Sequence, residues 1–218
     1  MINVYFADAA ALSSETLYAA GLNTVSEFRR EKTERYKFRK DRNLSLGAGL
    51  LLDAALKKHG LREKEMQYAE NGSGKPFFKN APELFFNISH SGEKLMLCFS
   101  TSEIGCDIEK IKSANTDVAR RFFHTNEYAA LMEMKDENAR DEFFCRLWTL
   151  KESYIKMIGG GLSIPMDSFE ISFESGKAAV KQDLSGACFL KEFDAFPGYK
   201  SALCSGNGIS TCVEYIEF

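Results

Sequence analysis

The sequence predicts an α+β fold, and three observations carry that reading. Two regions of helical length, about 25–59 and 141–158, place apolar residues at three- and four-residue spacing. Short β-branched and aromatic runs bounded by turn residues fall at 2–6, 84–88, 94–100 and 104–110, and recur beyond Pro165. The chain has 218 residues, 44% hydrophobic and 27% charged, which suits one large soluble domain or two small ones around a real core.

Taken in order, Met1-Ile2-Asn3-Val4-Tyr5-Phe6 has no basic leader and too short an apolar stretch for a signal segment, and it reads as a first strand. A polar connection leads to a long helical region from about Val25 to His59. Its first half is basic, with eight Lys/Arg against three acids between Arg29 and Arg42. Such a run is either a solvated face laced by pairs such as Glu31 with Arg35, or a local attractor for anions. The second half, Leu44 to Leu56, is apolar with small residues and is expected inside, and Gly60 closes the helix. Asn71-Gly72-Ser73-Gly74-Lys75-Pro76 is a turn cluster that leaves Lys75 on a loop. Leu84 to Ile88 and Lys94 to Ser100 read as strands joined through a hairpin-like connection, Ser89 to Glu93. A strand at 104–110 follows, then an amphipathic segment from Val118 to Phe123 and a helix start at Thr125, a candidate N-cap. Asp141 to Ile158 is the clearest helix, ended by Gly159-Gly160-Gly161. Short strands are expected at 169–173, 178–181, 188–193, 200–204 and 209–215.

Composition narrows the function classes. A net charge of -3 gives no global attraction to nucleic acid or to a membrane surface, so any anion binding must be local. No apolar run reaches the length of a membrane span. The six cysteines include no Cys-x-x-Cys pair, which argues against a zinc site. Five lie in apolar surroundings and Cys204 borders a Ser-Gly-Asn-Gly turn, a pattern that suits a reducing cytoplasm.

Ile104-Gly105-Cys106-Asp107-Ile108-Glu109-Lys110 alternates apolar and polar residues, so a strand sends Asp107 and Glu109 to one face. Two such carboxylates either face solvent on an edge or share a cation, and a hard ion such as Mg2+ needs only one or two of them plus phosphate oxygens. Downstream, Trp148, Glu152 and Lys156 share one helix face at a spacing of four. Glu152 and Lys156 are equally readable as a surface ion pair. Lys75, Ser89 and His90 add phosphate-compatible donors on what read as adjacent loops.

Those segments together resemble the 4'-phosphopantetheinyl transferases, in particular the two-domain class that activates surfactin synthetase and related assembly lines. The matching pieces are Gly74-Lys75-Pro76, Phe86-Asn87-Ile88-Ser89-His90-Ser91, Ile104 to Glu109, Arg121-Phe122-Phe123 and Trp148 to Lys156, in family order, with Pro165-Met166-Asp167-Ser168-Phe169 extending the likeness. The resemblance implies two similar α+β subdomains, related by a pseudo-twofold axis, with the active site between them. Residues 1–102 would supply coenzyme A phosphate contacts, and 103–218 the metal-binding acids and the catalytic helix. It implies Mg2+, with Mn2+ as an alternate, and coenzyme A as substrate. The phosphopantetheine arm would pass to a serine of an acyl or peptidyl carrier protein, releasing adenosine 3',5'-bisphosphate. Position by position, Asp107, Glu109 and Glu152 match the metal site and Lys156 matches a coenzyme A phosphate contact; the expected catalytic residues are Lys156 and Glu152, the one acid from a second element, which would accept the serine proton directly or through a metal-bound water. Lys75, Pro76, Ser89 and His90 match coenzyme A contacts, and Arg29, Lys32 and Ser45 do so after a one-residue shift. A cytoplasmic monomer is the expected state. Arg120, Arg121, Phe122 and Phe123 could dock the carrier, or the two phenylalanines could be core. A metal-dependent diphosphate hydrolase would use the same acids, and a nucleic-acid binder would use only the basic helix.

Overall fold

The computed structural model describes residues 1–182 and 188–218. The chain opens with β1 (Ile2–Asp8), α1 (Glu15–Thr24), α2 (Glu27–Glu34) and α3 (Arg39–Lys57). A hairpin of β2 (Tyr68–Glu70) and β3 (Pro76–Phe78) follows, then β4 (Phe85–Ser91) and β5 (Lys94–Ser100). The second half begins with β6 (Ile104–Lys110), then α4 (Thr116–Phe122), α5 (Thr125–Glu133) and α6 (Glu137–Ile158). It continues through the hairpin β7 (Glu170–Glu174) and β8 (Lys177–Lys181), then β9 (Phe189–Phe193) and β10 (Tyr199–Ser205). The last strand is β11 (Thr211–Ile216).

The architecture is α+β, and the two halves repeat one plan. Each has an opening strand, helices ending in a long one, a hairpin, and two further strands of which the last pairs antiparallel with the first. The sheet orders are therefore β1-β5-β4 and β6-β10-β9, with β11 added parallel to the free edge of β1. Leu46, Leu51, Leu52 and Leu56 of α3 bury one stripe against Tyr5, Leu95, Leu97 and Phe99 of the first sheet. Leu147, Leu150 and Tyr154 do the same for α6 in the second half. A third core, with Val4, Phe6, Met96, Ile104, Cys106, Ile108 and Leu203, is built from both sheets and joins them.

The join brings β4 beside β6 without a backbone ladder between them. Asn87 Oδ1 accepts from Cys106 N at 2.9 Å, and Ser91 Oγ accepts from Lys110 N at 3.1 Å. Helix α6 lies across the face of β6 that carries Asp107 and Glu109, and Gly105 on that same face is what allows it so near. A Cβ built on Gly105 would stand 2.1 Å from Ser153 O and 2.2 Å from Met157 N, closer than any side chain survives.

Several sequence expectations need correction. The long helical region from Val25 to His59 is two helices, broken between Glu34 and Arg39. That stretch, Arg35-Tyr36-Lys37-Phe38, leaves both its aromatic side chains exposed and buries no apolar stripe; Phe38 is extended and its carbonyl accepts from Asp41 N and Arg42 N. The polar connection before it contains α1, capped by Ser14 Oγ. Helix α6 starts at Glu137, earlier than Asp141, because Asp136 Oδ1 accepts from Ala139 N at 2.7 Å. The cap of α5 is His124 rather than Thr125. Strand β4 runs on through Ser91, so Ser89 and His90 lie on a strand and not on a loop, and Gly92 at φ 61° makes the tight turn. Cys204 is buried in β10, whereas Cys212 on β11 is exposed. Among the described residues, no helix is long and apolar enough to cross a membrane.

One buried charge holds the second half together. Lys151, fully buried, forms an ion pair with Glu127 at 2.9 Å and donates to Met166 O at 2.8 Å and Phe169 O at 2.7 Å. Glu127 in turn accepts from Ile171 N at 2.6 Å and His124 N at 2.8 Å, so α5, α6 and β7 meet on one pair. Lys151→Met leaves that carboxylate uncompensated and should cost about 3–5 kcal/mol in urea denaturation. The double variant Lys151→Met with Glu127→Gln should recover part of the loss.

Candidate active site

The alternation of β6 sends Asp107 and Glu109 toward β4, and the same alternation in β4 sends Ser89 and Ser91 back to meet them. Ser89 Oγ donates to Asp107 Oδ1 at 2.7 Å, and Ser91 Oγ donates to Glu109 Oε2 at 2.5 Å. From α6, Lys156 Nζ reaches Asp107 Oδ1 at 2.5 Å and Ser89 Oγ at 3.2 Å. One turn back on the same helix face stands Glu152, and one turn further Trp148. A cavity of about 340 Å³ is lined by Ser89, His90, Asp107, Glu109, Trp148, Glu152 and Lys156. The two acids of the strand and the acid of the helix thus share one chamber.

Its electrostatics are strained. Asp107 is 2% exposed, and its Oδ2 is buried with no hydrogen-bond partner, an arrangement that costs free energy unless something else supplies charge. Burial raises the Glu152 carboxyl pKa; Lys156 pulls it down again, while the charges of Asp107 and Glu109 add to the rise. Burial likewise raises Glu109, with the Ser91 hydrogen bond opposing and the Asp107 charge adding. For Lys156 burial alone would lower the pKa, but the charge and hydrogen bond of Asp107 outweigh it and hold the ammonium above its usual range.

Among the described residues, no three Asp, Glu, His or Cys side chains converge tightly enough to hold a metal ion as they stand. The donor chemistry nevertheless fits a hard divalent cation. Three carboxylates line one chamber, one oxygen is orphaned, and two of the acids are pushed toward protonation.

A second cavity, about 520 Å³, adjoins the first at Ile88 and His90. Arg29, Lys32, Ser45, Pro76 and His90 all line it, so five of the predicted coenzyme A contacts come together there. Arg29 is 7% exposed, paired with Glu63 at 3.8 Å, and its Nε has no hydrogen-bond partner. Glu63 also accepts from Ser26 N and Tyr68 OH, so the guanidinium is held from behind. Ser45 Oγ lies 2.9 Å from Thr33 Oγ1. Burial, then the neighbouring Arg29 charge, lowers the Lys32 pKa. His90, though exposed, has its pKa lowered first by the protein mass around its ring and then by Lys156.

A third and mostly apolar cavity of about 590 Å³, lined by Phe122, Trp148, Ile155, Ile164 and Met166, opens at Glu152 and Lys156. Arg120 and Arg121 are exposed, Phe122 is half-buried and Phe123 is core. Lys75 lines this third cavity with Pro76, Glu152 and Lys156, but its amine is engaged by protein acceptors. Sequence reasoning missed Thr33, Glu63 and Tyr68, which support the basic cavity from elements far apart in the chain.

A family model described as 4'-phosphopantetheinyl transferase superfamily matches residues 103–204, and one described as 4'-phosphopantetheinyl transferase, N-terminal, matches 13–102. The chain is 33% identical over 189 residues to 4'-phosphopantetheinyl transferase Sfp of Bacillus subtilis (strain 168), covering 85% of this chain and 84% of that protein. The chain belongs to the 4'-phosphopantetheinyl transferase family. It is also 35% identical over 187 residues to 4'-phosphopantetheinyl transferase ffp of Bacillus subtilis, covering 84% of this chain and 83% of the relative. With 4'-phosphopantetheinyl transferase gsp of Aneurinibacillus migulanus it shares 36% over 185 residues, 84% of this chain and 77% of that one.

In a phosphopantetheinyl transferase the crowding of acids has a measurable signature. A carboxyl with a raised folded pKa binds protons more tightly in the native state, so its cost appears as pH rises through that pKa. Glu152→Gln should therefore raise the melting temperature at about pH 7.5 by on the order of 2–4 °C, the shift that about 1 kcal/mol makes in a chain of this size. The gain should vanish as the pH falls below the usual Glu value of 4.5, where both versions are neutral. A gain that persists at low pH would remove the electrostatic explanation.

Proposed function

We propose that this chain transfers the 4'-phosphopantetheine arm of coenzyme A to a serine hydroxyl of an acyl or peptidyl carrier protein, releasing adenosine 3',5'-bisphosphate. The observation that carries this reading is the meeting of two chambers at His90: a basic one suited to a nucleotide and an acidic one suited to a diphosphate and its counter-ion. The first half of the chain, residues 1–102, would hold the nucleotide, and the second, 103–218, the reacting centre.

Arg29, Lys32 and Ser45 would hold the 3'-phosphate end, with Arg29 anchored from behind by Glu63 and its guanidinium charge on the cavity wall. His90, on the shared rim, would donate to the diphosphate, and Ser89 and Lys156 stand beside it against Asp107. Asp107, Glu109 and Glu152 would hold a divalent cation, Mg2+ in the first instance, which when bound supplies positive charge to the diphosphate and to the charge developing on the leaving bisphosphate. Glu152 makes no hydrogen bond or ion pair among the described residues, and burial raises its pKa. It would accept the proton of the incoming serine hydroxyl. As the serine oxygen bonds to the phosphorus bearing pantetheine, the diphosphate bridge breaks on the other side and the bridging oxygen leaves with the bisphosphate. Lys156, an ammonium whose proton is held firmly by Asp107, stabilises that oxygen rather than taking a proton.

A diphosphate hydrolase would use the same acids with water, and mass spectrometry separates the two. Incubation with coenzyme A, Mg2+ and an apo-carrier should add one phosphopantetheine mass to the carrier; bisphosphate release with no mass added would favour hydrolysis. Chelation of divalent cations should abolish transfer and added Mg2+ should restore it. Asp107→Ala should lose at least about 100-fold in rate while its circular dichroism is retained. Near-normal turnover by that variant would sink the acid-cluster assignment.

A further inference from the structure

We infer that Lys75 is a positioning residue, which fixes the distance between the helix and the strand that carry the acidic cluster, and is not a phosphate ligand. This rests on the proposed function for the identity of that cluster. An ammonium has three N–H donors. Lys75 Nζ uses them on Glu103 Oε2 at 2.5 Å, Ile104 O at 3.1 Å and Met157 O at 3.0 Å, which leaves none for an oxygen of coenzyme A. Its side chain is only 14% exposed, so the amine is held within the protein.

What it touches gives the role. Ile104 opens β6, the strand of Asp107 and Glu109, and Met157 lies in the last turn of α6, just beyond Lys156. One cation therefore ties both site-bearing elements of the second half to a turn of the first half. Asn71 shapes that turn, its Oδ1 accepting from Ser73 N and Lys75 N, both at 2.9 Å. Asn71 Nδ2 donates to Gly159 O at 3.2 Å, so two carbonyls at the end of α6 are satisfied from the other half. A positive charge is also favoured at that helix end. Gly159, at φ 75°, leaves room for the contact, since a Cβ there would stand 3.0 Å from Lys75 Cδ.

The test separates placement from phosphate binding. Three quantities are measured for wild type, Lys75→Met and Lys75→Arg: kcat and KM for coenzyme A with a saturating apo-carrier, and the calorimetric Kd for adenosine 3',5'-bisphosphate. Lys75→Met should lower kcat roughly 10- to 100-fold, the loss expected when reacting groups shift by about an ångström. KM and Kd should change less than about threefold, and Lys75→Arg should recover part of kcat. A Kd weakened tenfold or more with kcat unchanged would make Lys75 a phosphate ligand and overturn the inference; so would no change in any quantity. If Lys75→Met does not fold, Glu103→Gln, which removes the exposed partner, should lower kcat with Kd unchanged, and an unaltered kcat there would be equally fatal. A wild-type chain that loads no carrier would instead remove the proposed function, so the two failures are read from different samples.

Discussion

The contact between Gly105 and α6 is the constraint on which the rest of the site depends. With backbone of the helix where a β-carbon would be, strand and helix approach as closely as two main chains can. That approach allows the short side chain of Asp107 to meet Lys156 and brings Glu152 into the same chamber as Glu109. Any larger residue would push α6 outward and separate the acids. The strand is held along its edge by Asn87 and Ser91, which accept from Cys106 N and Lys110 N.

A second theme is the segregation of charge. A protein of net charge -3 places a buried guanidinium, a lysine and the hydroxyls of Tyr36, Ser45 and Tyr68 around one cavity, with Glu70 its single acid, and three carboxylates around the next. Neither cluster is good for folding: Asp107 Oδ2 has no hydrogen-bond partner, and Arg29 Nε has only a long ion pair with Glu63 and no hydrogen bond. Unmet hydrogen-bonding capacity of opposite sign, side by side, is what a ligand with both anionic groups and an attendant cation would complete. The Lys151–Glu127 pair shows the contrast, since there every buried charge is met by protein.

The acidic cluster was legible in the sequence because its members obey local periods: two for Asp107 and Glu109, and near four for Trp148, Glu152 and Lys156. The helices and most strands were legible for the same reason. What was not legible depended on partners distant in the chain. Nothing near Lys151 announces that Glu127 and two carbonyls await it, and nothing near Lys75 announces Met157. Ser89 and His90 looked like loop residues because Ser, His and Gly cluster there, yet pairing with β5 carries the strand through them. The break after Glu34 was hidden because helical propensity persists while the apolar stripe lapses. The topological repeat of the two halves was invisible to residue matching, for strand order survives when side chains have diverged.

The placement of β11 has a consequence for how the molecule tolerates being cut. The chain crosses back from the second half and lies along the otherwise bare margin of β1, register-matched from Thr211 to Ile216. Tyr215 stacks on Phe6, and its hydroxyl donates to Ala195 O, so this ribbon is glued to both lobes at once. Splitting the gene at the junction of the lobes would therefore not yield two self-sufficient fragments: one would lack its outermost ribbon and offer a sticky flank for aggregation, while the other would trail an orphan.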